Sequence, residues 1–331
     1  MTQTAAVAIA DTTSTRIRIR SGGWWRGRPW LRMFLGGLGL WVAAVAVTFV
    51  TQNVNLVPTI ILLGSFLVPV TFVVYAFGRA DQILTAFIYG GVLGVLGASV
   101  LEAEFLTQPS LPSFLGVGLI EEAVKLAALW LLARHLPRYT MRDGIVLGAT
   151  VGFGFAALES AGYAFDALFT TSGLSLPNLV ETELLRGILT PVGHGLWTAI
   201  LGGALFAAAA RGGGRPRPTA ALLGWYLLVA VLHGLWDAAQ PIAVWLTLLL
   251  AGTQVQWELL RIGQLPVTQG QVHLFTALYW ALLILDALIG LLVLRGRWRN
   301  ATTPDRPEAT TPNRPESPAT VAPVSAEERQ Q

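Results

Sequence analysis

Leu111-Pro-Ser-Phe-Leu-Gly-Val-Gly118-Leu-Ile-Glu121-Glu122-Ala-Val-Lys125-Leu-Ala-Ala-Leu-Trp130-Leu-Leu-Ala-Arg134 is long enough to cross a bilayer, yet two adjacent carboxylates and a lysine interrupt its middle. A spanning helix needs about 20 predominantly apolar residues. Each ionised group at the bilayer centre costs on the order of 3 kcal/mol on insertion scales. Three such groups must therefore face protein or water. On a helix Glu121 and Lys125 are four apart and share a face, so pairing offsets part of the cost. A buried structural ion pair is the plain reading; ionisable groups at this depth otherwise mark function.

Composition extends the reading to the whole chain. Of 331 residues 53% are hydrophobic and only 12% are charged, half the charge of an ordinary soluble domain, for which about a quarter is usual. Further apolar runs of spanning length lie at about 33–50, 56–77, 83–101, 144–169, 187–210, 220–240 and 272–294. The predicted fold is an all-α polytopic membrane protein, a bundle of about eight transmembrane helices with a disordered C-terminal tail. Residues 1–30 read as a basic cytoplasmic segment, 31–110 as three transmembrane helices, 111–295 as the core that bears the chemistry, and 296–331 as the tail. The run Pro241–Ala251 is too short to span; it reads as a half-helix, a re-entrant piece or a bent continuation of helix seven. The tail nearly repeats Thr-Thr-Pro-(Asp/Asn)-Arg-Pro-Glu from Thr302 and Thr310, a composition that buries no core.

Arginine placement orients the bundle. Arg79, then Arg134, Arg138 and Arg142, then Arg211, Arg215 and Arg217, then Arg295, Arg297 and Arg299 follow alternate runs, whereas the other loops carry mainly Glu102, Glu104, Glu181, Glu183 and Glu258. This alternation predicts a multi-pass protein of the cell membrane with both termini cytoplasmic. It leaves no basic surface to suggest nucleic acid. With no cysteine there is neither a thiolate nucleophile nor a sulfur-bound metal. Glycines four apart (Gly90 and Gly94; Gly144, Gly148 and Gly152) predict close helix–helix approach, not a phosphate cradle.

The later runs carry other polar groups at matching depth. Helix five holds Phe155 and Glu159, helix six opens after Arg186 and holds His194, and helix seven holds His233 and Asp237 one turn apart. Glu121 and Glu159 fall about ten residues from the external ends of their helices, His194 and His233 about seven, which at 1.5 Å per residue agree within about one turn. Acid, acid, base and base thus share one level, nearer the outside. A carboxylate shielded from bulk water suits a general base towards a bound water, and histidines suit an oxyanion.

Glu121-Glu122-x-x-Lys125, Phe155-x-x-x-Glu159, His194 with Gly202 eight residues on, and His233-x-x-x-Asp237 resemble the motifs of the PrsW family, intramembrane proteases of the wider superfamily that holds the prenyl-protein (CAAX) and bacteriocin-processing proteases. The resemblance covers 111–239. It implies a metal-independent glutamate protease without cofactors: Glu121 or Glu122 activates water, Glu159 is the second-motif acid, and His194, His233 and Asp237 position water or stabilise the oxyanion. Lys125, Phe155, Arg186 and Gly202 support them. The implied partner is a membrane-protein substrate, an anti-sigma factor in the family's best-known role. Ser160 departs from the asparagine frequent in the family. Three other readings stand beside this one. A proton-coupled transporter predicts inverted repeats; a metal hydrolase lacks His-Glu-x-x-His here; a non-catalytic scaffold would keep only the fold.

Overall fold

In the computed structural model, residues 28–77, 81–106, 110–215 and 218–302 are described. The expectations for the basic N-terminal segment and for the Pro/Thr-rich tail beyond Thr302 lie outside them. The helices are α1 (Pro29–Thr51), α2 (Val57–Phe77), α3 (Asp81–Thr85), α4 (Gly91–Phe105), α5 (Leu111–Ala133), α6 (Met141–Leu168), α7 (Leu176–Leu189), α8 (His194–Arg211), α9 (Ala220–Asp237), α10 (Ala239–Ala251), α11 (Gln254–Leu260) and α12 (Gln269–Thr302). Hydroxyl side chains start many of them: Ser110, Thr140, Ser175, Thr219 and Thr253 each accept from a free N–H of the first turn of α5, α6, α7, α9 and α11.

Among the described residues seven helical segments are long and apolar enough to cross a membrane. The 23-residue α5 makes the eighth; Glu121, Glu122 and Lys125 are the charges that set it apart from them. Leucines, valines and isoleucines cover the outside of the bundle, Val50, Leu96, Ile188 and Leu292 among the most exposed. Such a surface suits lipid and not water.

Two boundaries differ from the sequence expectation, and one of its alternatives for a third stretch is met. The sixth span is not a continuous helix from 187. It begins at Leu176, breaks in a tight turn at Thr190–Val192, and resumes as α8 with His194 as its first residue. Pro191 lacks an N–H and Gly193 takes a non-helical conformation, so the α-helical ladder is interrupted there. Arg186 consequently lies inside α7, not ahead of a helix. The last helix runs two turns past Leu294, which places Arg295, Arg297 and Arg299 on it rather than in a loop. Finally, Pro241–Ala251 belongs to α10, a separate 13-residue helix packed against α12. At 1.5 Å per residue it reaches only about 20 Å, too short to span.

Helix α6 is the hub. It meets α8 through a ladder of close backbone contacts: a Cβ on Gly152, Gly148 or Gly144 would strike the carbonyl oxygens of His194, Thr198 and Gly202 in turn. The residues advance by four on both helices in opposite directions, the pattern of antiparallel helices in contact along one ridge. On its other side α6 packs against a π-helical turn, Ala86–Gly90, that joins α3 to α4. There Gly154 abuts the carbonyl of Phe87. Helix α5 approaches α9 in the same way, with Gly118 against the Ala230 carbonyl and Gly234 against the backbone of Phe114 and Leu115. A short hairpin, β1 (Phe169–Thr170) and β2 (Gly173–Leu174), links α6 to α7.

Candidate active site

The polar residues of α5, α6, α8 and α9 meet in one place. Lys125 is fully buried, and its Nζ donates to Glu121 Oε2 at 3.0 Å and to Glu122 Oε1 at 2.9 Å. It lies 2.8 Å from Nδ1 of His194. An ammonium can only donate, so Nδ1 is the acceptor and the ring proton is on Nε2. That nitrogen is 2.8 Å from Glu159 Oε2, to which it donates. The Phe155 ring closes the lysine from the side, 3.9 Å from Nζ to the ring centroid, a cation–π contact in a dry setting.

His233 organises the other half. Its Nδ1 is 3.0 Å from Glu122 Oε1, and its Nε2 is 3.5 Å from both Glu121 Oε2 and Asp237 Oδ2. Asp237 and His233, one turn apart on α9, thus face the same spot. Arg186 reaches in from α7. It pairs with Glu159, donates from Nε to Ser160 Oγ at 2.8 Å, and stacks 4.2 Å over the Tyr163 ring. Ser160 therefore has a definite task, as acceptor for the arginine that holds Glu159. Gly202 is not at the site; it is the far rung of the α6–α8 ladder.

Two neighbouring glutamates end in different surroundings. Glu122 is completely buried, with Oε1 bonded to Lys125 and His233 and Oε2 enclosed. Glu121 lines a cavity of about 530 Å³, together with Glu159, Asp237, Tyr163, Glu102 and apolar residues of α4 and α5. Its Oε1 has no hydrogen-bond partner among the described residues. The histidines stand behind these carboxylates and outside the cavity lining.

Sequence reasoning missed Trp197 and Tyr226. The Trp197 indole stacks on His233 at 4.5 Å and 26° and meets His194 edge-on at 5.3 Å. Its spacing of three from His194, one turn along the helix, was the available signal. Tyr226 donates to the Leu119 carbonyl at 2.7 Å, tying α9 to α5 two residues before Glu121. Nothing in its sequence context marks it.

The model of a family described as "PrsW family intramembrane metalloprotease" matches residues 57–259, more than half of the chain. The chain belongs to the PrsW family. Two proteins named "Protease PrsW" are similar to it. That of Halalkalibacterium halodurans is 30% identical over 145 residues, 44% of this chain and 61% of the relative. That of Geobacillus kaustophilus is 33% identical over 105 residues, 31% of this chain and 42% of the relative. The chain thus spans less than two thirds of the length of these curated PrsW relatives. No solved structure matches it.

The family description raises the question of a metal. Glu121, His194 and His233 each offer one donor atom, all within 4.8 Å of one another. Glu121 Oε2 is 3.8 Å from His194 Nδ1 and 3.5 Å from His233 Nε2, close to the edges of roughly 3.4 Å in a tetrahedron with zinc bonds near 2.1 Å. However, Lys125 Nζ already contacts two of those three atoms, Glu121 Oε2 and His194 Nδ1. An ion bonded to both would lie within roughly 3 Å of the ammonium, and two cations that close in a dry site repel strongly. With Lys125 in place the arrangement does not fit a divalent ion; the lysine is the cation of the site.

Proposed function

We propose that this PrsW-family protein is an intramembrane protease that cleaves membrane proteins with a water activated by Glu121, without a metal. The observation that carries this reading is the difference between the two glutamates: Glu121 reaches the cavity with one oxygen unbonded, whereas Glu122 is enclosed, its Oε1 held by Lys125 and His233 and its Oε2 buried away from the cavity. Glu121 is then the base. It takes a proton from a cavity water as the water oxygen attacks the scissile carbonyl, and it returns that proton to the amine as the C–N bond breaks. Lys125 holds the glutamate pair, and Glu122 holds Lys125 and His233. His194 and Arg186 fix Glu159, and Asp237 completes the acidic cavity wall. The arginine pattern supports a bacterial cell-membrane location with the cavity near the external face, where an anti-sigma factor is the substrate class the family resemblance suggests.

A metal-dependent reaction is the second reading, favoured by the donor triad and by the family description. It requires Lys125 to leave its three partners. The test is purified protein in lipid vesicles with a panel of single-span substrates, with and without chelator. Cleavage that survives chelator and is lost in Glu121→Gln is expected. Loss of activity on chelation, restored by added zinc, replaces the first reading with the second. Normal cleavage by Glu121→Gln ends the glutamate mechanism.

A further inference from the structure

The carboxylate outside this site whose two oxygens are both buried without a partner is Asp286, midway along α12. It is 5% exposed, and neither carboxyl oxygen has a hydrogen-bond partner among the described residues. A carboxyl enclosed without partners costs several kcal/mol, so the surroundings must supply one. A second orphan faces the same helix: Trp197 is fully buried and its indole N–H has no partner either. A Cβ on Gly290 would come within 4.0 Å of that nitrogen and 2.8 Å of Leu196 Cδ2. Gly290 is one turn from Asp286 on the same buried face of α12.

Register brings the two orphans together. Gly290 meets Leu196 and Trp197, and Arg297 meets Gly203, so α12 and α8 run parallel with a constant offset. That offset sets Asp286 beside Val192 and Gly193, where the sixth span breaks. The Trp197 indole nitrogen faces Gly290, one turn along α12 from Asp286. A buried water needs two to four polar partners; the two carboxyl oxygens and the indole N–H supply three.

We propose that Asp286 is a positioning residue: through a shared buried water it takes up the Trp197 indole N–H and so fixes the ring against which His194 and His233 pack. Its consequence for catalysis rests on the protease reading above, but the contact itself does not. Helix α12 lies beyond the family-matched residues, and Trp197 within them.

The test uses full-length protein with ¹⁵N-labelled indoles in lipid nanodiscs, the Trp197 signal being assigned by its loss in Trp197→Phe. In Asp286→Leu that signal shifts and its proton exchanges faster, while the melting temperature holds or rises because an unpartnered carboxyl has been replaced by hydrocarbon. In Asp286→Asn, which keeps an acceptor, the signal stays near its original position. In cleavage assays Asp286→Leu lowers kcat about 10- to 100-fold with little change in KM, as expected for a small misplacement of reacting groups. Adding Trp197→Phe to it lowers kcat no further than Trp197→Phe alone. An unmoved Trp197 signal in Asp286→Leu, or losses that simply add, overturns the proposal. If the signal moves but even the wild-type chain cleaves nothing, the brace stands and the protease reading falls.

Discussion

The first turn of α8 and the two turns that follow it meet their neighbours in opposite ways. In its first turn, His194 and Trp197 make their contacts through side chains: ring on ring, nitrogen on carboxylate. From Thr198 to Gly202 the helix touches α6 backbone to backbone, with glycine against carbonyl at each rung. The first arrangement is polar and open to substitution by groups of similar shape. The second leaves no room for any side chain. His194 belongs to both, its ring in the polar site and its carbonyl against Gly152, but side chains carry the chemistry and glycines the architecture, and the two should fail differently when altered.

The sharpest break of this contrast is Glu121→Gln. It removes the proton acceptor but keeps the shape, so cleavage should drop by roughly 10²- to 10⁴-fold, the usual contribution of a general base. Melting measured by scanning calorimetry should hardly move. A parallel loss of melting temperature would show the site to be part of the scaffold after all. Lys125→Met comes next and should damage both properties: it leaves two buried carboxylates without their cation, at a cost of about 3–5 kcal/mol, seen as lower yield and a lower melting temperature. On the architectural side, Gly148→Val should cost about 3 kcal/mol from overpacking against the Thr198 carbonyl, with catalysis per folded molecule largely kept. Farthest from the site, Trp41→Phe removes the 2.7 Å hydrogen bond from the indole to Glu183 Oε2. It should cost about 2 kcal/mol as a bond to a buried carboxyl. Glu183 and Arg186 are a turn apart on α7, so a small fall in kcat is also expected. An unchanged kcat would confine that bond to stability.

Much of this contrast was legible in the chain. The i, i+4 spacing of Glu121 and Lys125 implies their pairing, and Gly144, Gly148 and Gly152 imply a close helix crossing, because both follow from helix geometry alone. The convergence of His194 and His233 with the glutamates followed from depth, an argument that needs only the rise per residue. Its helix ends were wrong for the sixth span. Hydropathy is continuous across Pro191 and Gly193, so the break was hidden even though it puts His194 at a helix start. What separates Glu121 from Glu122 was not legible either. Adjacent residues differ by about 100° around the helix, and which of them faces a cavity depends on α4, α6 and α9. Asp286 was missed for a similar reason: a single aspartate in an apolar run carries no spacing signal until another helix is laid beside it, whereas Trp197 did share a face with His194.

The π-helical turn at Ala86–Gly90 has a consequence for how insertions and deletions are tolerated. A π turn carries one more residue than the α-helical turn it replaces. Deleting one residue there would let α3 and α4 merge into a regular helix with the phase of α4 nearly kept, because five residues of π turn sweep roughly the same angle as four of α-helix. The wall that α4 lends to the cavity, Val95, Ala98, Ser99 and Glu102, would then keep its facing, whereas the same deletion within the regular part of α4 would turn the residues beyond it by about 100° and cost the chamber one side.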